Sequence, residues 1–170
     1  KEGYPYFVHP LSDGVPKQTA ELLTAAHDLI SENVDWGSVD IILGIEAMGI
    51  PLAAALCLSS GKPLVIGRKR QYGLPGEVAI NQSTGYSKGE IYLNDIETGA
   101  RVLVVDDVVS TGGTLLPVLR ALEASGAIVQ DCWMVFEKGE GMNKVRSAGK
   151  WSLNSLVRIE MQGDKIVILK

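Results

Sequence analysis

Four apolar segments, separated by stretches with helical spacing, limit the folds open to this 170-residue chain. They are VDIILGI (39–45), PLVIGRK (63–69), RVLVVDD (101–107) and IVQDCWMVFEK (128–138). Continuous apolar strands are typical of parallel sheets that helices cover on both faces. The sequence therefore predicts an α/β fold in which a mostly parallel sheet is flanked by helices.

The stretches around these strands complete the prediction. Residues 19–34 place apolar side chains on one helical face, and residues 49–61 predict a second helix that ends at a glycine. A third helix is expected over 113–127, with Pro117 near its first turn, where proline is tolerated. Residues 156–169 contain a Gly-Asp turn between apolar runs and predict two further strands.

One long segment, RKRQYGLPGEVAINQSTGYSKGEIYLND (68–95), interrupts the alternation of strands and helices. It is polar and glycine-rich, with short alternating runs at 77–82 and 89–93. Loops of this length in compact domains are usually functional or disordered. We expect a two-stranded excursion from the sheet that is mobile at its tip.

Composition and charge disfavour several classes of function. The chain is 46% hydrophobic and 21% charged, as in ordinary globular proteins, and its length fits one domain over residues 1–170. Its net charge of −4 disfavours a sequence-independent nucleic-acid binder. The start, KEGYPYFVHP, lacks the apolar core of a signal peptide, and no apolar run is long enough to span a bilayer. We therefore expect neither a nucleic-acid partner nor a membrane partner.

The cysteines and histidines point to no disulfide and no metal site. Cys57 and Cys132 are isolated thiols in apolar surroundings, as expected for reduced core residues of a cytoplasmic protein. His9 and His27 do not have the spacing of metal ligands.

The third predicted strand ends in two carboxylates and a loop of small residues, VLVVDDVVSTGGT (102–114). In open parallel sheets, ligands bind beyond the carboxyl ends of the strands. A helix N-terminus, backbone N–H groups, hydroxyls and glycines suit a phosphate there, and the loop supplies them from Ser110, Thr111, Gly112, Gly113 and Thr114. It is not a Walker loop, because no lysine follows Gly113, and the dinucleotide pattern G-x-G-x-x-G is absent.

The acid pair restricts the kinds of ligand that this site could bind. Asp106 and Asp107 would repel a polyphosphate laid across them, but carboxylates accept hydrogen bonds from a diol. A ribose 5-phosphate satisfies both parts, with its 2- and 3-hydroxyls on the acids and its 5-phosphate on residues 110–114. An acid pair that merely caps a strand is the alternative, and it does not account for all thirteen residues together.

These residues resemble the phosphoribosyl pyrophosphate motif of the type I phosphoribosyltransferases, which has a hydrophobic strand, two acids, two apolar residues and a small-Thr-Gly-x-Thr loop. The resemblance extends over nearly the whole chain and is strongest to the purine branch, between the adenine enzymes and the archaeal hypoxanthine/guanine enzymes. Segments similar to the archaeal group are YPYFVHPLSDGVP, EAMGI, RKRQYGLPGE and TGYSKGEIY. The resemblance implies the type I phosphoribosyltransferase fold, in which residues 1–18 form a hood and residues 68–95 form a flexible lid.

The resemblance also implies an activity. Family members transfer ribose 5-phosphate from phosphoribosyl pyrophosphate to a base nitrogen and release pyrophosphate, with Mg²⁺ carried by the substrate. We expect hypoxanthine or guanine as the base, giving IMP or GMP, and a homodimer. One alternative is an adenine phosphoribosyltransferase giving AMP. Another is a non-catalytic regulator that senses phosphoribosyl pyrophosphate, although such proteins generally add a DNA-binding domain and only about forty residues precede the first strand.

Individual roles follow from the same resemblance. Catalysis would involve Asp106, Asp107 and, in the lid, Tyr86. The leaving pyrophosphate would be bound by a strand–helix loop and two cations, namely Glu46, Ala47, Met48, Gly49, Arg68 and Lys69. Ordinary turn residues and surface charge are the alternatives for this group.

The base would be bound by Lys138, which would contact the O6 atom of a 6-oxopurine, and by Phe7 or Tyr6 of the hood, which would stack on the purine ring. A solvated strand end is the alternative for Lys138. Phe7 and Tyr6 could instead belong to the core.

Three positions depart from the family pattern. Gly85 stands where adenine enzymes typically have a glutamate that handles the proton of the base, and Ser110 stands where other hypoxanthine/guanine enzymes have an aspartate. Met48 stands where adenine enzymes tend to have an arginine. The sequence therefore leaves the proton acceptor open among water, pyrophosphate and an unidentified group.

Overall fold

The computed structural model describes residues 6–83, 88–163 and 165–169. A short 3-10 turn, Trp36–Ser38, precedes the first strand. Within the described residues the helices and strands are, in chain order, α1 (Pro10–Asp13), α2 (Ala20–Ser31), β1 (Ile41–Ile45), α3 (Gly49–Ser60), β2 (Leu64–Gly67), β3 (Val78–Ser83), β4 (Lys88–Leu93), β5 (Arg101–Val109), α4 (Leu115–Ala124), β6 (Ile128–Lys138), α5 (Gly141–Ala148), β7 (Leu153–Gln162) and β8 (Lys165–Leu169).

Six strands form the main sheet in the order β2-β1-β5-β6-β7-β8. The pairs from β2 through β7 are parallel, and β8 runs antiparallel to β7. The predicted α/β fold with a mostly parallel, helix-flanked sheet is confirmed. No helix in the part of the chain that the structure describes is long and apolar enough to cross a membrane.

Alternate residues of the central strand β5 point into two separate cores. Val102 and Val104 belong to a core that contains α4, α5 and the β3–β4 hairpin. Leu103 and Val105 belong to the opposite core, which contains α2, α3 and the N-terminal segment. All four side chains are fully buried. This two-sided burial is the reason why the strand is apolar at consecutive positions.

The segment predicted as an excursion contains a hairpin whose stem is part of a core. β3 and β4 pair antiparallel in a two-stranded sheet of their own. Ile80, Ile91 and Leu93 are buried, and they pack in the same core as α4. Most of the expected tip, STGYSKG (83–89), lies outside the described residues, which omit 84–87, so its mobility stays a prediction.

Helix α5 was not expected from the sequence, because its eight residues place only Met142 and Val145 in the core as large apolar side chains. A buried carboxylate, Glu137, connects it to the sheet. This carboxylate accepts hydrogen bonds from Arg146 on α5 at 3.2 Å and from the Ser155 hydroxyl on β7 at 3.0 Å. Together these bonds hold α5 against the carboxyl end of β6.

We predict that Ile91→Ala lowers the free energy of unfolding by about 2–4 kcal/mol, because it leaves a cavity in a fully packed site. The matched control is Ile168→Ala on the edge strand β8, where the side chain is 69% exposed and the loss should stay below about 1 kcal/mol. Urea denaturation measures both values. An equally mild effect at the two positions would contradict the packing of the hairpin stem in the core.

Candidate functional site

A cavity of about 190 Å³ opens at the carboxyl ends of β1, β5 and β6. Its lining residues belong to the N-terminal segment, the loop after β1, the segment after β2, the β3–β4 hairpin, the end of β5 with the loop that leads to α4, and the end of β6. They are Tyr6, Phe7, Ser12, Ile45, Glu46, Ala47, Met48, Lys69, Gln82, residues 106–115 and Lys138. The predicted site residues are therefore brought together, with three exceptions. Gly49 and Arg68 do not line the cavity, and Tyr86 lies outside the described residues.

The acid pair lies where β5 emerges from the core. Asp106 is only 9% exposed, and its Oδ1 accepts a hydrogen bond from the Asp107 N–H at 2.9 Å. Burial, followed by the neighbouring charge of Asp107, holds the pKa of Asp106 well above its usual range. Burial also raises the pKa of Asp107. The pair is therefore costly to ionise until a ligand supplies hydrogen-bond donors or positive charge.

Gly49 supports the acid pair from behind. A Cβ atom at this position would lie 2.7 Å from the Val105 carbonyl oxygen and 3.0 Å from the Asp106 carboxylate. Helix α3 thus begins in direct backbone contact with β5, and any side chain at its first residue would displace Asp106. The predicted role of Gly49 on the pyrophosphate side stays a prediction, and the contact gives an independent reason for glycine there.

The small-residue loop is enclosed by backbone on two sides. Gly112 has a φ of +75°, and a Cβ atom there would lie 2.9 Å from the Gly141 carbonyl oxygen at the start of α5. A Cβ atom on Gly141 would collide with the Ser110 carbonyl, and one on Gly113 would collide with the Ser83 carbonyl of the hairpin. The glycines were predicted to let a phosphate approach, and the structure adds that they let α5 and β3 approach the loop.

Two hydrogen bonds join the hairpin to this loop. The Ser83 N–H donates to the Gly113 carbonyl at 3.0 Å, and the Thr114 hydroxyl donates to Gln82 Oε1 at 2.7 Å. Gln82 was missed in the sequence analysis. The signal was present in VAINQS, because alternation places Gln82 on the same strand face as the buried Ile80.

The loop after β1 is tied to the end of β2 through Glu46. Its carboxylate accepts hydrogen bonds from the Lys69 backbone N–H at 3.0 Å and from Arg68 Nε at 2.8 Å. The Lys69 backbone bond, reinforced by Arg68, lowers the pKa of Glu46. The peptide bond between Glu46 and Ala47 is cis. Of the two predicted cations, Lys69 lines the cavity, and Arg68 is paired with Glu46.

The opposite end of the cavity is formed by the N-terminal segment and the end of β6. Lys138 is only 5% exposed, which argues against a solvated strand end, and its Nζ lies 5.6 Å from the centre of the Phe7 ring. Phe7 contacts Phe136 edge to face with ring centres 5.3 Å apart, so it lies both in the core and at the cavity wall. Tyr6 is half exposed, and its hydroxyl donates to Asp13.

The donor set fits a cation that arrives with a phosphorylated ligand. Within residues 6–83, 88–163 and 165–169, no group of three or more His, Cys, Asp or Glu side chains could hold a metal ion. Mg²⁺ commonly binds one or two carboxylates plus substrate phosphates and keeps several waters. Asp106 and Asp107 could supply such carboxylate contacts beside the small-residue loop.

Comparison with known proteins places this geometry in context. The family described as "Phosphoribosyl transferase domain" matches residues 17–162. The chain is 50% identical over 169 residues to a protein named hypoxanthine/guanine phosphoribosyltransferase from Ferroglobus placidus, covering 99% of this chain and 89% of that protein. A protein of the same name from Methanotorris igneus is 47% identical over 166 residues, covering 98% of this chain and 91% of the relative.

Solved structures with a similar fold include adenine phosphoribosyltransferases. The enzyme from Rhodothermus marinus has a TM-score of 0.71 and 26% identity, covering 82% of this chain and 81% of that chain. The enzyme from Thermoanaerobacter pseudethanolicus has the same TM-score with 22% identity, covering 82% and 81% respectively. At the latter identity the likeness concerns the fold alone.

We predict that Asp106→Asn raises the Tm at pH 7 by roughly 2–4 °C. Because the folded state holds the Asp106 proton more tightly than the unfolded chain does, stability falls as pH rises from about 4 through the raised pKa. Asparagine removes this loss and keeps the oxygen that accepts from the Asp107 N–H.

Thermal unfolding at pH 7 and pH 4 measures the effect, and the gain should shrink toward pH 4. Asp95→Asn, at an exposed position, is the control and should show no such trend. A variant less stable than the wild type at pH 7 would contradict the cost assigned to the buried charge.

Proposed function

Because the chain belongs to the phosphoribosyltransferase family, we propose that it transfers ribose 5-phosphate from phosphoribosyl pyrophosphate to hypoxanthine or guanine. The products would be IMP or GMP and pyrophosphate, as in purine salvage. One observation carries this proposal: a single cavity combines an acid pair, a small-residue anion loop and a buried lysine. The similarity to proteins named hypoxanthine/guanine phosphoribosyltransferase supports the choice of base.

The central part of the cavity would bind the ribose phosphate. The 5-phosphate would accept hydrogen bonds from the backbone N–H groups and hydroxyls of residues 110–114, just before α4 begins. The ribose 2- and 3-hydroxyls would donate to Asp106 and Asp107. These donors, together with the cation carried by the substrate, would offset the cost of ionising the buried pair.

The side of the cavity next to β1 and β2 would bind the leaving pyrophosphate. Ala47, Met48 and Lys69 line this side, and the Lys69 ammonium would stabilise the charge that the leaving group gains. Arg68 would act chiefly through Glu46, since their ion pair fixes the loop after β1 against the end of β2. Mg²⁺ would arrive on the oxygens of phosphoribosyl pyrophosphate.

The end of the cavity below the N-terminal segment would bind the base. Lysine offers only hydrogen-bond donors, and hypoxanthine and guanine present an acceptor at position 6, where adenine presents an amine. Lys138 is therefore matched to a 6-oxopurine. Phe7 and Tyr6 flank the same part of the cavity and would stack on the ring.

The lid, the oligomeric state and the compartment complete the proposal. Tyr86, in the expected lid, would help to exclude water from the reacting centre. We propose a homodimer, and the free thiols of Cys57 and Cys132 suit a reducing compartment such as the cytoplasm. An adenine enzyme is the alternative activity, favoured by the similarity to the structure from Rhodothermus marinus.

A panel of four bases tests the proposal. Purified protein is mixed with phosphoribosyl pyrophosphate, Mg²⁺ and adenine, hypoxanthine, guanine or xanthine, and nucleotide formation is followed with and without EDTA. We expect turnover of hypoxanthine and guanine that EDTA abolishes. Efficient turnover of adenine would favour the alternative enzyme, and binding of phosphoribosyl pyrophosphate without turnover of any base would favour a non-catalytic regulator.

We predict that Asp107→Asn and Asp106→Asn each weaken phosphoribosyl pyrophosphate binding by about 10- to 150-fold. Removing a charged acceptor for a ribose hydroxyl costs on the order of 1.5–3 kcal/mol. Titration calorimetry measures the affinity, with circular dichroism to show that the fold is kept. Asp95→Asn is the matched surface control, and wild-type affinity in both site variants would rule out the diol assignment.

We predict that Lys138→Ala lowers kcat/KM for hypoxanthine and guanine by about tenfold or more, because a charged donor to the base is lost. The affinity for phosphoribosyl pyrophosphate should change little, since Lys138 ends β6, whereas Lys69 follows β2, and two strands of the sheet lie between them. Lys150→Ala, at an exposed position after α5, is the control. The assignment fails if the variant keeps wild-type kinetics with both bases.

A further inference from the structure

Gln82 is a buried polar side chain that the proposed chemistry leaves unexplained. It is 8% exposed, lies on β3 and lines the cavity beside Thr114. The adjoining backbone bond from Ser83 to Gly113 fixes the distance between β3 and the loop. Gln82 is therefore held within reach of the group that would bind the 5-phosphate, although it comes from a different element of the chain.

The contact between Gln82 and Thr114 uses the only hydrogen of the threonine hydroxyl. In the structure this hydrogen is donated to Gln82 Oε1 over 2.7 Å. A hydroxyl has one donor hydrogen and two acceptor lone pairs, so Thr114 cannot donate to a phosphate at the same time. When phosphate binds, either the hydroxyl breaks its hydrogen bond to Gln82, or the Gln82 amide rotates so that its N–H group faces Thr114.

The surroundings of the Gln82 amide leave room for this rotation. Gln82 pairs across the hairpin with Gly89, and a Cβ atom at that glycine would lie 3.6 Å from Gln82 Nε2. With no side chain opposite, a half turn of the amide exchanges two groups of nearly equal size. Nε2 would then donate to the Thr114 oxygen, and the hydroxyl hydrogen would be free to point into the cavity.

We propose that Gln82 is a positioning residue for the ribose-phosphate loop, directing the Thr114 hydroxyl toward the 5-phosphate by presenting the N–H end of its amide. The inference rests on the proposed function, because it names how one donor of that site is oriented. It also links the hairpin to the loop, since phosphate binding strengthens a hydrogen bond between β3 and Thr114. Hydrogen bonds arranged in series polarise and strengthen one another.

The test is a double-mutant cycle on Gln82→Met and Thr114→Val, in which both substitutions nearly conserve volume and remove the hydrogen bond. Steady-state kinetics give kcat and the KM values for phosphoribosyl pyrophosphate and hypoxanthine. Asn81→Met is the matched control, because Asn81 is the neighbouring residue on the exposed face of β3. Gln82→Leu is a second variant should Gln82→Met fold poorly, and thermal unfolding monitors all of them.

We expect Gln82→Met to raise the KM for phosphoribosyl pyrophosphate by about 3- to 10-fold and to leave the KM for hypoxanthine within about twofold. The double variant should be no worse than the more impaired single variant, because both substitutions remove the same interaction. Additive effects, an unchanged KM in Gln82→Met, or an equal rise in Asn81→Met would each overturn the inference.

Calorimetry with ribose 5-phosphate separates this inference from the proposed function. If the wild type turned over no purine base but bound ribose 5-phosphate, and Gln82→Met weakened that binding non-additively with Thr114→Val, the proposed function would fail and the role of Gln82 would stand. If the wild type were active and its affinity for ribose 5-phosphate were unchanged by Gln82→Met, the role of Gln82 would fail alone. A wild type that neither bound ribose 5-phosphate nor turned over any base would overturn both.

Discussion

The site depends on backbone lying directly on backbone. The loop between β5 and α4 contacts the first residue of α5 on one side and the end of β3 on the other, and neither contact leaves room for a Cβ atom at Gly112, Gly113 or Gly141. A loop held in this way cannot shift without moving two neighbouring elements. Donors fixed before a ligand arrives need little rearrangement on binding, and this preorganisation would favour the anion that we propose for the loop.

The same region concentrates the electrostatic cost of the fold. Asp106 is buried, Asp107 beside it is partly buried, and the pKa values of both are raised, whereas Glu46 nearby has two donors and a lowered pKa. The donors around Glu46 favour its charged form and fix its loop, whereas the hydrogen bonds at the acid pair do not offset the cost of burying its charge. Functional sites commonly retain such unfavourable groups at the expense of stability. The contrast distinguishes a carboxylate that stabilises the fold from two that we propose to contact the substrate.

Sequence reasoning succeeded where a run of apolar residues, or a helical spacing of them, was long. The runs of consecutive apolar residues in β1, β5 and β6 predicted the parallel sheet, and β6 was predicted with the bounds that it has. The acid pair and its loop could be placed because they follow a parallel strand, and ligands bind beyond the carboxyl ends of such strands. Helix α5 has too few buried apolar residues to give a helical period, and the contacts of Gln82 and Ser12 arise from packing between distant segments. Arg68 was expected in the cavity, but its guanidinium pairs with Glu46, a choice that only three-dimensional distance decides.

Because β5 separates the interior into two cores, substitutions on the two faces of the sheet should combine in a simple way. Phe7 and Phe136, at the proposed base end, belong to the core on one face of the sheet, whereas α4, α5 and the hairpin, which contact the small-residue loop, belong to the core on the other. Substitutions in distant, unconnected sites have nearly additive effects. Substitutions deep in one core, away from the shared cavity, should therefore change stability independently of substitutions in the other core. In the proposed assignment, the packing behind the base and the packing behind the sugar phosphate would thus be two separate stability problems, which β5 divides.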